Sequence, residues 1–246
     1  METATRTLFI TGITSGIGQE VLRLALADGF HAVGVVRSEA QKQALLAAYP
    51  ERLALHVADL RQRDSVYVVA EQVNGTAFSH ILLNAGYAEL GKLHEITHES
   101  MADMLEANLI GHTLLLKSLL PQCIPNRTRL CLVSSLAARM PGRNYAAYGM
   151  AKAGLSYLAE ALALEYPALR ILCVEIGGVA TPFHQKCGSG FSVRQFKTQE
   201  ETGKRLYKAL LRRQGFTTLY WDWTLARWLF LHFRAPIIAA RRRFHV

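Results

Sequence analysis

Apolar residues recur along this chain in two alternating rhythms. Short unbroken runs at residues 7–10, 31–36, 53–57, 81–83, 129–133 and 170–176 have the length and β-branched content of strands buried on both faces. Between them lie stretches with helical period. One covers 17–28 and is stopped by Gly29, and another covers 40–48 and is stopped at Tyr49-Pro50. Others cover 64–72, 99–120 ahead of Pro121, and 145–165. A helix over 202–213 and a last edge strand over 216–220 close the pattern. The alternation predicts an α/β fold: one Rossmann-like, doubly wound parallel sheet of about seven strands with helices on both faces. Ligands of such sheets bind at the C-terminal strand ends, where the strand order reverses.

Composition narrows this picture. With 246 residues, half of them hydrophobic, the chain can bury one large core and is too apolar for disorder. No repeat or linker divides it, so residues 1–246 are expected to form a single domain. The first six residues are polar and the apolar run behind them is short, so no secretory signal is expected. Cys123, Cys131, Cys173 and Cys187 form no CxxC pair and no metal-ligand spacing. They are expected to be free thiols in a cytoplasmic protein without a metal site. The net charge of +9 is unevenly placed: residues 204–246 carry ten bases and one acid, Asp222, and all three tryptophans, while the rest is neutral. A basic body would point to nucleic acid. A neutral body with a basic, aromatic tail does not.

The candidate chemistry begins at Tyr148-Gly-Met-Ala-Lys152, with Ser135 thirteen residues upstream at a strand end. A Tyr and a Lys four apart on a helix share one face. A phenol ionises at about pH 10, and a nearby ammonium is expected to lower that value and make the side chain a general acid/base. Alone, such a pair is also an ordinary helix-face pair. The first strand, however, runs into Thr11-Gly12-Ile13-Thr14-Ser15-Gly16-Ile17-Gly18 and then a helix. Gly12 permits a tight turn, Gly16 lets backbone approach a pyrophosphate at the helix N-terminus, and Gly18 permits close packing. Arg37-Ser38 stands at the end of the second strand, where an adenosine ribose would lie. A guanidinium there pairs with a 2′-phosphate, which predicts NADP(H) over NAD(H).

Taken in order, these segments make the chain resemble the short-chain dehydrogenase/reductase family over residues 8–211. The matching segments are Thr11-Gly12-x-x-x-Gly16-x-Gly18, Asp59-Leu60, Asn84-Ala85-Gly86, Asn108, Ser134-Ser135, Tyr148-x-x-x-Lys152 and Gly177-x-Val179-x-Thr181. The resemblance implies that Ser135, Tyr148 and Lys152 are catalytic, with Ser134 the neighbouring alternative to Ser135. It implies that Asn108 helps hold a water in a proton relay. It assigns Gly12, Thr14, Ser15, Gly16, Ile17 and Gly18 to the cofactor loop, Arg37 and Ser38 to the adenosine end, and Asp59 and Leu60 to the adenine. Asn84, Ala85 and Gly86 would flank the cofactor, and Val179 and Thr181 would bind the carboxamide. Lys152 would also hold the nicotinamide ribose. Where the family has Pro before the last glycine, this chain has Ile176-Gly177-Gly178, which predicts a looser loop. Ala151 replaces a frequent Ser, with little expected effect.

The activity implied is transfer of hydride between NADPH and a carbonyl, or the reverse, on an apolar small molecule. An epimerase or dehydratase on the same scaffold, and a non-enzymatic NADP-binding sensor, are the alternatives. Residues 182–200 are expected to cover the pocket as a lid, with hinges at Gly188 and Gly190 and apolar surface from Phe183, Phe191 and Phe196. His184 and Cys187 are expected only to line it. The resemblance implies a homodimer or homotetramer paired through the 99–120 and 145–165 helices. The tail, 221–246, is too short in apolar length to span a bilayer. Its helices, 223–235 and 237–244 broken at Pro236, are expected to pack on the body or a partner subunit, with peripheral contact at a membrane surface as the alternative.

Overall fold

In the computed structural model, residues 6–183, 187 and 196–243 are described. The first strand β1 (Thr7–Thr11) leads into α1 (Gly16–Ala27), then β2 (His31–Val36), α2 (Glu39–Ala48), β3 (Leu53–Val57), α3 (Arg63–Gln72) and β4 (His80–Leu83). The second half runs α4 (His98–Leu105), α5 (Gly111–Leu119), β5 (Arg129–Ser135), α6 (Ala146–Glu165) and β6 (Arg170–Ile176). It then continues through β7 (Val179–Ala180), β8 (Lys197–Thr198), α7 (Gln199–Arg212), β9 (Gly215–Thr217), α8 (Trp221–His232) and α9 (Arg234–Arg243). The main sheet has seven strands in the order β3-β2-β1-β4-β5-β6-β9, all paired in parallel.

Strand residues alternate between two buried layers, which is why the runs are apolar without a polar face. On β1, Leu8 and Ile10 point into the layer under α1, α2 and α7, and Phe9 into the layer under α3, α5 and α6. Strands β5 and β6 repeat this: Cys131, Val133, Leu172 and Val174 face one layer, and Leu130, Leu132, Ile171 and Cys173 the other. The chain runs outward from β1 to β3 and returns to β4, so the order reverses between β1 and β4. Their C-terminal ends therefore open the crevice in which a ligand can sit.

Three elements differ from the sequence pattern. The single helix expected over 99–120 is divided: α4 passes into a π turn, Glu106–Ile110, then α5, then a 3-10 turn, Leu120–Gln122. Hydrophobic period registers the buried face of such a stretch but not one inserted residue. The last strand is shorter than expected, at the sheet edge. In the tail, Pro236 does not break the helix; it sits in the first turn of α9, where its missing N–H costs nothing, and the break falls at Phe233. The tail packs on the body through one face of α8, where Trp223 and Phe230 are buried.

Candidate active site

A cleft of about 570 Å³ opens at the C-terminal ends of the strands. Its floor is the β1–α1 loop. Gly12 has φ +73°, and a Cβ there would lie 2.7 Å from the Ala85 Cα; a Cβ on Gly18 would lie 2.1 Å from the Gly12 carbonyl oxygen. Only glycine lets the loop and the helix come this close. The loop after β4 is stitched to it: the Thr11 hydroxyl accepts from the backbone N–H groups of Asn84 (3.0 Å) and Ala85 (3.1 Å), and the Asn84 amide donates to the Gly12 carbonyl at 3.1 Å. With both acceptor positions used, the Thr11 hydroxyl proton is directed at Nε2 of the buried His112, 3.3 Å away.

Three helix N-termini in this fold are capped by their own side chains. Ser38, Thr97 and Thr198 each accept a backbone N–H at the start of α2, α4 and α7. Ser15, at the start of α1, makes no such bond. The first turn of α1 thus keeps its N–H groups and positive dipole end for the cleft, the arrangement that suits a phosphate. Gly12, Thr14, Ser15, Gly16 and Ile17 line this part, and Gly18 lies behind it as a packing residue.

At the other end stand Arg37, Asp59 and Leu60. The Arg37 backbone N–H donates to the Gln41 side chain at 3.0 Å. Its exposed guanidinium makes no hydrogen bond or ion pair among the described residues, although its field helps hold the Asp59 carboxyl low. Asp59 is itself clamped by Arg61, Nη2 to Oδ2 2.6 Å, whose other nitrogen reaches Asp103 at 2.8 Å. That bond from Arg61 is the main reason the Asp59 carboxyl ionises below its usual range. Ser38 departs from expectation: its hydroxyl accepts from Gln41 N and caps α2, so it is not on the cleft wall.

The catalytic candidates converge on the middle of the cleft. Ser135 ends β5, and Tyr148 and Lys152 lie one turn apart on α6. All three line the wall with Asn84, Ala85, Gly86, Val179 and Thr181. Ser135 Oγ accepts the Ala137 N–H at 3.1 Å, leaving its proton to be donated. Ser134 is withdrawn from the chemistry: it is buried, donates to the Lys152 carbonyl at 3.0 Å and accepts from Ser156 at 2.7 Å. Lys152 is buried too, donates to the Val133 carbonyl at 3.0 Å, and holds its Nζ 6.0 Å from the centre of the Tyr148 ring. Burial lowers the Lys152 pKa to about 8. Burial likewise pushes the Tyr148 phenol well above its ordinary value, and the hydrogen bond from Ser135 opposes this only in part. Desolvation thus dominates at Tyr148, against the lowering expected from the lysine.

Asn108 lies in the π turn and is buried behind the cleft wall. Its side chain accepts from Tyr87 N (3.2 Å) and donates to the carbonyls of Tyr87 (2.6 Å) and Met104 (2.8 Å). It therefore fixes the loop after β4, and its side-chain oxygen would stand 3.0 Å from a Cβ placed on Gly86.

The Ile176-Gly177-Gly178 loop is packed rather than loose. A Cβ on Gly177 would lie 2.6 Å from the Trp223 indole, and one on Gly178 would lie 2.6 Å from the Phe196 ring. Lys197 N donates to the Gly178 carbonyl at 3.3 Å, and β8 pairs with β7, so the far end of the expected lid is sewn to this loop. Phe183 stands 5.8 Å from the Tyr148 ring, and Cys187 is buried on the same wall. His184, Gly188, Gly190 and Phe191 lie outside the described residues.

Several residues beside the site are absent from the expectations above. Arg61, two after Asp59, and His112, one turn after Asn108 on the same helical run, had only spacing to mark them. Glu175 had more: it is a lone acid inside the apolar strand β6. It is fully buried between Arg139 (Nε to Oε1 2.9 Å) and Arg227 of α8 (Nε to Oε2 2.5 Å), and Arg139 also bonds Glu160.

Comparisons agree with this geometry. The profile of the family described as short chain dehydrogenase matches residues 6–191. A human protein, dehydrogenase/reductase SDR family member 2, mitochondrial, is 32% identical over 190 residues, covering 73% of this chain and 67% of its own. The vibriobactin-specific 2,3-dihydro-2,3-dihydroxybenzoate dehydrogenase of Vibrio cholerae is 28% identical over 191 residues, covering 73% of this chain and 72% of its own. In structure, a short-chain dehydrogenase from Sphingobium yanoikuyae, solved in complex with NADPH, superimposes with a TM-score of 0.81 at 21% identity over 96% of this chain and 95% of its own.

Proposed function

The chain belongs to the short-chain dehydrogenase family, NAD(P)-dependent oxidoreductases of CH–OH and C=O groups, and we propose that it reduces the carbonyl of an apolar small molecule with NADPH. The observation that carries this reading is the convergence of Ser135, Tyr148 and Lys152 on one wall of the cleft. A neutral phenol is a proton donor, and a carbonyl receiving hydride needs one.

NADPH, when bound, supplies the hydride. The glycine loop and the uncapped first turn of α1 take its pyrophosphate, and Arg37 takes the 2′-phosphate. Asn84, Ala85 and Gly86 flank it, Lys152 holds the ribose nearest the reaction, and Val179 and Thr181 hold the carboxamide. Ser135 donates to the substrate oxygen and orients it. Tyr148 then gives that oxygen its proton as negative charge develops there. Lys152, as an ammonium at neutral pH, stabilises the phenolate left behind. Asn108 keeps the loop after β4 in place. Phe183 and Phe196 supply an apolar wall, which favours aliphatic or aromatic carbonyls over charged ones.

We assign the protein to a cytoplasmic compartment, consistent with the absence of a disulfide at Cys123, Cys131 and Cys173, the last two of them buried. Assembly as a homodimer or homotetramer is supported by α6, whose exposed face carries Met150, Tyr157 and Leu164 at seven-residue spacing.

The test is NADPH consumption against a panel of aldehydes, ketones and quinones, with Tyr148→Phe as the blank. Turnover of one class, lost in that variant by about 10²-fold or more, is the expected result. Turnover retained in Tyr148→Phe contradicts the assignment.

A further inference from the structure

Helix α8 is apolar on both sides. Its inner side is accounted for by Trp223 against Gly177, buried Phe230, and Arg227 on Glu175. Its outer side carries Trp221 (77% exposed), Leu225, Trp228, Leu229 and Leu231, followed by exposed Phe233. On a helical wheel these outer residues fall on one continuous sector, with Thr224 and His232 as its polar members. Trp228 stacks on His232 at 4.6 Å and lies 6.2 Å from Phe233, so the aromatics form one cluster. A helix apolar all round needs a second layer. No described residue of this chain covers the outer one, since its members are exposed.

We propose that the outer face of α8, together with α9, docks on an anionic lipid surface. Charge argues for that occupant. Five of the ten bases in residues 204–246 belong to α7 and its end, and Arg227 is spent on Glu175, but the remaining four all fall after the aromatic cluster, with no acid beyond Asp222. Exposed Arg234 follows the aromatic cluster directly, and Arg241, Arg242 and Arg243 end α9. Indole and aliphatic side chains flanked by arginines match the boundary between headgroups and acyl chains. A second copy of the chain fits worse, because a two-fold contact through this face sets two strongly basic tails against each other. No helix of the described residues is long and apolar enough to cross a membrane, so the helix lies on the surface. Docking here sets the cleft close to the lipid, because the inner side of the same helix touches the loop that lines it.

The test is sedimentation of the full chain with vesicles of phosphatidylcholine alone and of phosphatidylcholine with phosphatidylserine. The variants are Trp221→Ser/Trp228→Ser and, separately, Arg241→Ala/Arg242→Ala/Arg243→Ala. Melting temperature and NADPH binding without vesicles serve as folding controls, and both variants are expected to keep them because Trp221 and Trp228 are exposed and the three arginines stand at the end of the last helix. The expected result is binding to the anionic vesicles at least about tenfold over the neutral ones, weakened by salt and lost in the tryptophan variant. Lack of binding, equal binding to both vesicles, or binding unchanged in both variants overturns the proposal. A dimer in analytical ultracentrifugation that the tryptophan variant dissolves also overturns it and assigns the face to a second copy.

Discussion

Arg37 and Lys152 are the residues whose state sets what the site can do. Arg37 spends its guanidinium on no hydrogen-bond or ion-pair partner among the described residues, while Arg61 beside it is fully engaged. Arg37→Ala should therefore weaken NADPH by about tenfold or more, since a charge-assisted pair contributes about 1.5–3 kcal/mol, and should leave NADH nearly unchanged. Equal losses for both, measured by titration, would remove the 2′-phosphate from the account. Lys152 loses its proton as pH rises through about 8. The ammonium is present below that pH and gone above it, so turnover should fall as pH passes about 8; a rate that climbs from 8 to 10 would point to a phenolate base instead. His112 has its pKa pushed down to about 3, and His80 to about 4, chiefly by burial. The unfolded chain then binds more protons than the folded one below about 6.5, so both histidines cost stability as pH falls from there, at about 1.4 kcal/mol per pH unit each. Thermal melts at falling pH should show this, and His112→Gln should flatten the slope by about half if it folds like the parent.

At the scale of elements, the periodic segments were legible because burial imposes their rhythm, and the glycine loop because its spacing serves backbone geometry. The placing of Ser135, Tyr148 and Lys152 on one cleft wall was legible from order and spacing. The π turn at Asn108 was not, since it changes hydrogen-bond register without changing which face is apolar. The sign of the Tyr148 shift was not either, because desolvation depends on what packs around the ring: beside Tyr145, one turn away, stand Phe183 and Cys187 from elsewhere in the chain. Nor was the packing of Gly177 and Gly178, which takes Trp223 and Phe196 from the tail and the lid. The tie between α8 and β6 is the buried Glu175–Arg227 pair, with Arg139 as the second partner. Arg227→Ala should cost about 2–3 kcal/mol, below the full penalty for an unpaired buried charge because Arg139 remains. Denaturant unfolding measures it; a cost under about 0.5 kcal/mol would mean that the pair is effectively solvated.

For the whole molecule, one end of the sheet gathers the residues of the proposed site: the glycine loop at the strand-order reversal, a phenol and a serine at the wall, a lysine behind them, and a tail helix packed on the Gly177-Gly178 loop from outside. The central claim is that Tyr148 protonates a carbonyl oxygen while hydride arrives at its carbon. The most direct measurement is transfer of deuterium from C4-deuterated NADPH, followed by mass spectrometry of the alcohol formed from whichever carbonyl the panel selects. One deuterium on the carbinol carbon per NADPH consumed is predicted, with transfer slowed by about 10²-fold or more in Tyr148→Phe while NADPH still binds. Deuterium transfer at the parent rate in Tyr148→Phe, or alcohol formed without the label, would contradict it.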